Sequence, residues 1–542
     1  MLSLLAICTA AGLQAQMNVP YAPIEKGGIT PVTFSASSVG TSGTNRAVVD
    51  MNGDFLDDIV SISSTNVNIL QQQVGGGFTT RNIATTSANY TPSWSLAAAD
   101  YNADGYTDLL YGGGSGVTFM RSDGTGFGFV EVSGSQFVFS QRSNFVDINN
   151  DGHLDAFVCH DVEPNVYYIN DGAGNLSFIQ GGLGDYPSGG NYGSVWIDYD
   201  NDGDSDMFIA KCGGETARRT NQMHRNNGDG TFTEVGVATG LADPMQTWSS
   251  AWGDYDNDGD MDVFVGASSG THKLMRNNGD GTFSDVTASS GVLSVSATGI
   301  ENATHDFNND GNLDIVSNGS ILYGNGNMTF TTISFGIINS SNGGFGDLNG
   351  DGFLDNFNSS VVRYNNANDN HWVTINLVGD ESNINGIGAR IEVTTAAGTQ
   401  IRDVRSGEGF RFQSTLNTHV GLGDNTNITS LTVKWPSGIV DTFTDLAVDN
   451  VYEIHEGLPL DVADNESAQL SLYTNPETDI ISITYNTPLS DATYAVFTID
   501  GKKVQSGKLE NKQLNVASLA TGTYILQIAE NNFVSNQQFV KK

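Results

Sequence analysis

Seven acidic stretches set the strongest constraint on what this chain can fold into. They are DMNGDFLDD from Asp50, DYNADGYTD from Asp100, DINNDGHLD from Asp147 and DYDNDGDSD from Asp198, then DYDNDGDMD from Asp254, DFNNDGNLD from Asp306 and DLNGDGFLD from Asp347. The common pattern is D-x-[DN]-x-D-G-x-x-D, and successive starts lie 50, 47, 51, 56, 52 and 41 residues apart. A nearly constant period of this size is the signature of a repeat architecture, in which one supersecondary unit is copied and each copy packs on its neighbours.

Each unit carries a second landmark. HRNNGDGTFTEV (His224 to Val235) and MRNNGDGTFSDV (Met275 to Val286) are its clearest copies, with INDGAGNLSF, RSDGTGFGF and YGNGNMTF as weaker ones. An apolar run, an Asn/Gly turn and a Thr/Phe alternation describe a β-hairpin. One unit therefore reads as strand, acidic loop, strand, variable connection, strand, tight turn, strand, which is the four-stranded blade of a propeller. Seven units predict an all-β chain with a seven-bladed β-propeller over residues 16–365. After the seventh acidic loop the chain runs SSVVRYNN without a Gly-x-Phe strand of its own. ITPVTFSASSVG (Ile29 to Gly40) resembles DGTFSDVTASSGV. It is expected to supply the missing outer strand by pairing around Val361 to Tyr364, which leaves no open sheet edge.

The acidic loops place oxygen-bearing side chains at positions 1, 3, 5 and 9. In order these are Asp50, Asn52, Asp54 and Asp58; Asp100, Asn102, Asp104 and Asp108; Asp147, Asn149, Asp151 and Asp155; Asp198, Asp200, Asp202 and Asp206. The last three loops give Asp254, Asp256, Asp258 and Asp262; Asp306, Asn308, Asp310 and Asp314; Asp347, Asn349, Asp351 and Asp355. Glycine at position 6 permits the φ > 0 turn that curls such a loop around a point, and position 7 can offer its carbonyl. The spacing matches the first three-quarters of an EF-hand loop, a cage for a hard cation. An all-oxygen set without His or Cys selects calcium over zinc or copper, and magnesium wants a tighter octahedron. The EF-hand's Glu at position 12 is absent because apolar strand residues follow (DVFVG, DMFIA, DIVSN), so the Asp at position 9 is expected to take the bidentate role. The competing reading, solvated Asx turns, does not call for a carboxylate there. Up to seven Ca2+ ions are expected. Loops four and five, with four ligand aspartates each, should bind most tightly, and the first, with Phe55 in place of Gly, most weakly. At ten times its dissociation constant each ion would add about 1.4 kcal/mol by linkage. Seven would add roughly 10 kcal/mol, comparable to the whole stability of a domain, so the ions are expected to act as structural clamps.

A net charge of -38 over 542 residues argues against a basic face for nucleic acid or anionic membrane. No segment reaches the ~18 apolar residues of a membrane span. Residues 1–15, MLSLLAICTAAGLQA, read as an export signal cut after Ala15, with Cys8 inside it. The two other cysteines, Cys159 and Cys212, are too few for a disulfide framework, and either one bridge or two buried thiols is open.

The loops and the NNGDGTF hairpins resemble FG-GAP or VCBS repeats, the units of integrin-α-like propellers, across about residues 29–365. The resemblance implies an extracellular binding or adhesion platform with calcium on one face. Residues 366–456 break the pattern. HWVTINLVG, NGIGARIEV, VRSGEGFRFQST, THVGLGD and LTVKWPSG alternate as strands with glycine turns and resemble the ASPIC/UnbV domain. Arg390, Arg402, Arg405 and Arg411 within it form either a ligand patch or strand-edge pairs. A polar linker over 457–467 leads to residues 468–542, where six lysines face six acidic residues, so the negative charge lies upstream. LSLYTNP, YAVFTIDGKKV, LATGTYILQI and FVSNQQFVKK read as a small Ig-like β-sandwich and resemble the type A C-terminal sorting domain of type IX secretion substrates. That resemblance implies recognition by the type IX machinery and display on the outer surface of a Gram-negative cell. A generic Ig-like adhesion module is the plainer reading.

No catalytic residues are assigned. GASSG (Gly266 to Gly270) fits G-x-S-x-G, but THKLMRNNGDG after it is a strand and turn, not the helix a nucleophile elbow needs. His305 reads as a strand residue, and Trp196 and Trp252, two residues before a loop, as core and not a sugar platform. Two functions remain. One is a secreted, calcium-stabilised binding or adhesion protein for an extracellular glycan or surface protein. The other is a lyase-like enzyme acting on polysaccharide, which would need an acid–base pair converging on the central channel.

Overall fold

The computed structural model describes residues 29–296, 299–460, 470–475, 480–485, 493–498, 502–509, 513–530 and 533–541. The export signal with Cys8, and linker residues 461–467, lie outside the described residues. The chain forms two compact units, Met1–Pro459 and Leu460–Lys542.

In the first unit, seven four-stranded antiparallel sheets follow the seven acidic loops. Their first strands are Thr44–Val49, Ser95–Ala99, Ser140–Val146, Asn191–Ile197, Gln246–Gly253, Asn302–His305 and Gly344–Gly346. Every second strand begins at the position-9 aspartate of its loop: Asp58, Asp108, Asp155, Asp206, Asp262, Asp314 and Asp355. First strands are mostly buried, wholly so in Ser95–Ala99, while fourth strands such as Phe129–Ser133 alternate with solvent. This gradient explains the composition: small residues (SLAAA) where the sheets crowd together, Phe/Thr alternation at the rim.

The core is divided into layers between neighbouring sheets. Ala47, Val60, Leu96 and Leu109 pack sheet one on two. Tyr101 and Phe145 stack between two and three, with centroids 5.7 Å apart. The series continues round to Val48, Ile59, Leu348 and Phe357, which pack the seventh sheet on the first. The N-terminal strand Phe34–Ser38 completes the seventh sheet by pairing with Val361–Asn365, Phe34 opposite Asn365 and Ser38 opposite Val361. The expected closure is therefore present, and the ring's two ends are joined by backbone hydrogen bonds.

Residues 366–456 belong to the same compact unit as the ring. They form a three-stranded sheet (His371–Val378 between Thr418–Gly423 and, in parallel, Asn450–His455) and a four-stranded one (Gly398–Asp403, Arg390–Thr395, Ile428–Lys434, Val440–Leu446). The second unit has two sheets, of three and four strands, that share a core of Ile481, Leu514, Val496, Leu526 and Phe539. No described helix is long and apolar enough to cross a membrane.

Candidate metal centres

Each acidic loop is wound by its own carboxylates. In all seven, the position-1 aspartate accepts the position-6 N–H at 2.7–3.1 Å. The position-5 aspartate accepts the position-7 N–H at 2.8–3.1 Å. These bonds fold the loop back on itself and hold the side-chain oxygens inward.

Position 9 has a structural task that the spacing alone does not reveal. One oxygen accepts the position-2 N–H at 3.0–3.2 Å. The other accepts an amide at the end of the third strand at 2.6–3.0 Å. This carboxylate therefore locks loop to strand in every sheet, which accounts for Asp at that position with or without an ion.

Position 3 is the diagnostic one. The Oδ1 atoms of Asn52, Asn102, Asn149, Asp200 and Asp256 are buried and have no hydrogen-bond partner. In the last two loops, Asn308 and Asn349 Oδ1 instead accept the position-5 N–H at 3.2 Å. Buried acceptors are normally paired, and five orphaned oxygens at one loop position need a common explanation. In loops four and five, oxygens of Asp198, Asp200 and Asp206, and of Asp254, Asp256 and Asp262, lie within 4.8 Å of one another. Burial, and then the neighbouring carboxylates, push Asp58, Asp108 and Asp355 up to about 8, Asp155 to about 7 and Asp206 to about 9. Carboxylates held this way favour a proton or a cation between them. The donor set, all hard oxygen with unsatisfied acceptors at one point of the loop, fits calcium.

Position 4 carries a feature the consensus treats as variable. Its φ is positive in every loop: Gly53 +74°, Ala103 +54°, Asn150 +57°, Asn201 +61°, Asn257 +54°, Asn309 +54° and Gly350 +73°. Only Gly and Asn take this conformation readily, so the Asn/Gly bias at position 4 was a readable signal. The asparagines also tie loop to loop. Asn150 Nδ2 donates to Asp204 Oδ1 (2.6 Å), Asn201 to Asp260 Oδ1 (2.7 Å), Asn257 to Asn312 Oδ1 (3.3 Å) and Asn309 to the Gly352 carbonyl (2.9 Å). Phe55, at position 6 of the first loop, is held at φ +61°, the strained conformation expected of it.

The segment 366–456 sits on this same face. Asn417 Nδ2 donates to the Phe55 carbonyl (2.9 Å), the Asp100 N–H to Asn385 Oδ1 (2.8 Å), and Asn368 Nδ2 to the Asn308 carbonyl (2.7 Å). From it, residues 404–417 enter the ring's centre. Arg405 donates to the Trp252 carbonyl (3.2 Å), Asn144 Nδ2 to the Ser406 carbonyl (2.8 Å), and the Phe410 N–H to Glu301 (2.8 Å). On the way out, Leu96 N–H donates to the Arg411 carbonyl, Arg142 to that of Phe412 and Val48 N–H to that of Gln413. This plug touches the first strands of most of the sheets and fills the channel.

Of the two readings open for Arg390, Arg402, Arg405 and Arg411, the structure places them mainly in internal pairing, with Arg402 and Arg405 also lining a small cavity. Arg390 pairs with Asp403 (2.7 Å) and donates to the Asp198 carbonyl, Arg402 donates to the Ile401 carbonyl, and Arg411 lies with its Nε buried in the channel. Arg390 and Arg405 seat the segment on the ring. Other expectations hold: Trp196 and Trp252 are core residues and no helix follows GASSG; of the two readings open for Cys159 and Cys212, the structure shows separate buried thiols. His305 Nε2 lies 3.2 Å from Glu408 Oε1, without an aligned hydrogen bond, beside a cavity of about 80 Å3. A water needs about 10–15 Å3 of such space, so this cavity admits a few waters and no polysaccharide.

Parts of the chain resemble known proteins. A model of the FG-GAP-like repeat matches residues 50–111, 100–158, 147–209, 198–265 and 254–317. A model named ASPIC and UnbV matches 379–459, and one named secretion system C-terminal sorting domain matches 471–542. Cartilage acidic protein 1 of Homo sapiens is 28% identical over 267 residues, 43% of this chain and 39% of that protein; the Xenopus tropicalis protein is 27% identical over 270 residues, 44% and 40%. The chain thus spans about two-fifths of these relatives. Among solved structures, an Agrocybe aegerita lectin aligns at TM-score 0.38 and 18% identity over 56% of this chain and 80% of that one, and the Dos1 propeller at 0.35 and 9% over 71% and 97%. Likeness at that level carries no argument about function. The sorting domain marks the chain for export to the cell surface or beyond by a Gram-negative bacterium of the Bacteroidetes type. The chain is an exported protein built from FG-GAP-like repeats, an ASPIC and UnbV domain and a type IX sorting tail.

Proposed function

We propose that this is a surface binding protein whose ring is clamped by calcium in its acidic loops and whose partner is an extracellular glycan or surface protein. The observation that carries the metal is the set of buried, unpartnered position-3 oxygens in five loops. An ion there would satisfy them and offset the repulsion among the carboxylates around it. Extracellular modules bind calcium at about 10⁻⁴ to 10⁻³ M, which suits an exported protein. Calcium would then stabilise the face on which residues 366–456 rest, since their contacts fall on the loops themselves. The ions would supply cross-links and no chemistry. The lyase-like reading gains no support, because the channel that would hold the polymer is filled by residues 404–417.

Calorimetric titration of the chelated full chain with calcium tests the metal. Saturable uptake of several ions, with a rise in melting temperature that magnesium reproduces poorly, is the expected result. No uptake would leave the loops as acidic turns, and equal stabilisation by both ions would overturn the choice of calcium.

A further inference from the structure

Residues 366–456 rest on part of the acidic-loop face, and residues 404–417 carry the chain through the ring to the other face. There the plug tip ends in an aromatic cluster. Phe410 is fully buried. Around it stand Trp94, Tyr192 and Trp248, with centroids 6.2, 6.4 and 5.2 Å from its ring. Each comes from the start of a first strand, or the residue just before it, in sheets two, four and five. All three are half-buried, with Trp248 also packed on Tyr192 (4.8 Å) and Trp94 on Phe139 (6.2 Å). Phe137, on the connection into sheet three, is 49% exposed.

This cluster differs from the inter-sheet layers in having a polar rim. Asp161 Oδ1 pairs with Arg218 Nη2 at 3.0 Å, and Asp161 Oδ2 accepts from Tyr192 Oη at 3.2 Å. Trp248 Nε1 donates to Cys212 Sγ (3.1 Å), which fixes the indole, and Arg218 Nη1 donates to the Cys212 carbonyl (2.7 Å), which fixes the guanidinium. The rings and the charged pair are therefore held in place before any ligand arrives. An ordinary hydrophobic cap has no use for a half-buried tryptophan pair beside an immobilised carboxylate and guanidinium.

We infer that this channel mouth binds a neutral saccharide, its sugar rings lying on Trp94 and Trp248 and its hydroxyls on Asp161 and Arg218. Aromatic faces take the C–H face of a sugar ring. Arg218 already donates to the Ser188, Cys212 and Asp161 carbonyls and to Asp161 Oδ1, so hydroxyls would meet its one remaining Nη1 N–H and the spare lone pairs of the Asp161 carboxylate. A net charge of -38 disfavours acidic polymers. The inference deepens the binding-protein reading by naming the site and the ligand class, and it does not depend on the calcium.

The test uses the full chain in calcium, labelled with 5-fluorotryptophan, titrated with neutral gluco-, manno- and galacto-oligosaccharides and with polygalacturonate. The expected result is saturable binding of at least one neutral series, movement of the Trp94 and Trp248 fluorine resonances, and about tenfold weaker binding in Trp248→Ala. The resonances are read in the unsubstituted chain, so a misfolded variant does not blunt the test. Binding only of polygalacturonate, no binding of any neutral series, or binding that leaves both resonances unmoved would overturn it. If chelation leaves melting unchanged while neutral sugar still binds, the calcium reading falls and this one stands.

Discussion

Asp200→Ala separates a metal site from an acidic turn. Asp200 Oδ1 has no hydrogen-bond partner, and oxygens of Asp198, Asp200 and Asp206 lie within 4.8 Å of one another. Two full charges at that distance repel by about 3.5 kcal/mol at an effective dielectric of 20. Burial pushes Asp206 up to about 9, and the carboxylate that raises Asp200, after burial, is Asp202, with Arg225 opposing it. Asp200 is partly exposed through its other atoms, and solvent cuts its relief on removal to about 1 kcal/mol. In chelator, Asp200→Ala should be as stable as the parent or slightly more so. Calcium at 10 to 100 times the dissociation constant adds about 1.4 to 2.7 kcal/mol per site, and the variant should lose that share of the calcium increment. Asp206→Asn is the contrast. Asp206 accepts the Tyr199 and Asn226 amides at 3.2 and 2.7 Å, so the variant should lose about 1–3 kcal/mol in both conditions. The assay is guanidinium melting of parent and variants with calcium and with chelator. If Asp200→Ala loses equally in both, or leaves the calcium increment intact, position 3 holds no ion and the argument from its orphaned oxygen fails.

Gly407→Ala should destabilise by several kcal/mol, because Gly407 has φ +87° and a Cβ there would meet Arg142 Nη2 at 1.5 Å; a melting temperature near the parent's would mean that the plug is not tightly seated. Phe55→Gly should stabilise by about 1 kcal/mol by relieving the left-handed conformation, with calcium uptake at the first loop read by calorimetry; a loss would show that Phe55 packing outweighs its strain. Glu301 is raised to about 7, chiefly by burial, so its ionisation costs the folded state: the contribution is favourable below its unfolded value near 4.5 and is lost as pH rises through 7. Glu301→Gln should therefore gain up to about 3 kcal/mol over the parent at alkaline pH and little near pH 5, and a pH-independent difference would refute this. A neutral cargo fused to residues 468–542 should reach the surface of a cell with type IX secretion, and periplasmic retention would count against the tail's role.

Much of this molecule is legible in its sequence because repetition amplifies weak local signals. The period near fifty fixes the number of units, and Gly-rich hairpins fix four strands in each. The broken seventh unit, matched by Phe34–Ser38 at the other end of the chain, even tells how the ring closes. Each of these depends on local pattern or on a copy displaced by whole units. The position-9 aspartate was legible as essential and not as to why, since its partner amide on the third strand lies ten to twenty residues on, in Asp314 to Gly324 and Asp206 to Asn226.

What the tertiary structure alone decides is the fate of residues 366–456. Their strands and arginines are visible in the sequence, but a guanidinium reads the same whether it faces solvent or a carbonyl of another domain. Non-local contacts settle it: Arg142 to Phe412, Glu301 to Phe410 and Arg390 to Asp198 join residues more than a hundred positions apart. No periodicity encodes these, because each is made once. The segment fills the channel, rests on the acidic loops and assembles the aromatic mouth from strands of sheets two, four and five around its own Phe410. Sequence determined the ring and its loops because they repeat; only packing could decide what fills the ring, because burial of a unique segment follows from shape and from the need to pair its polar groups.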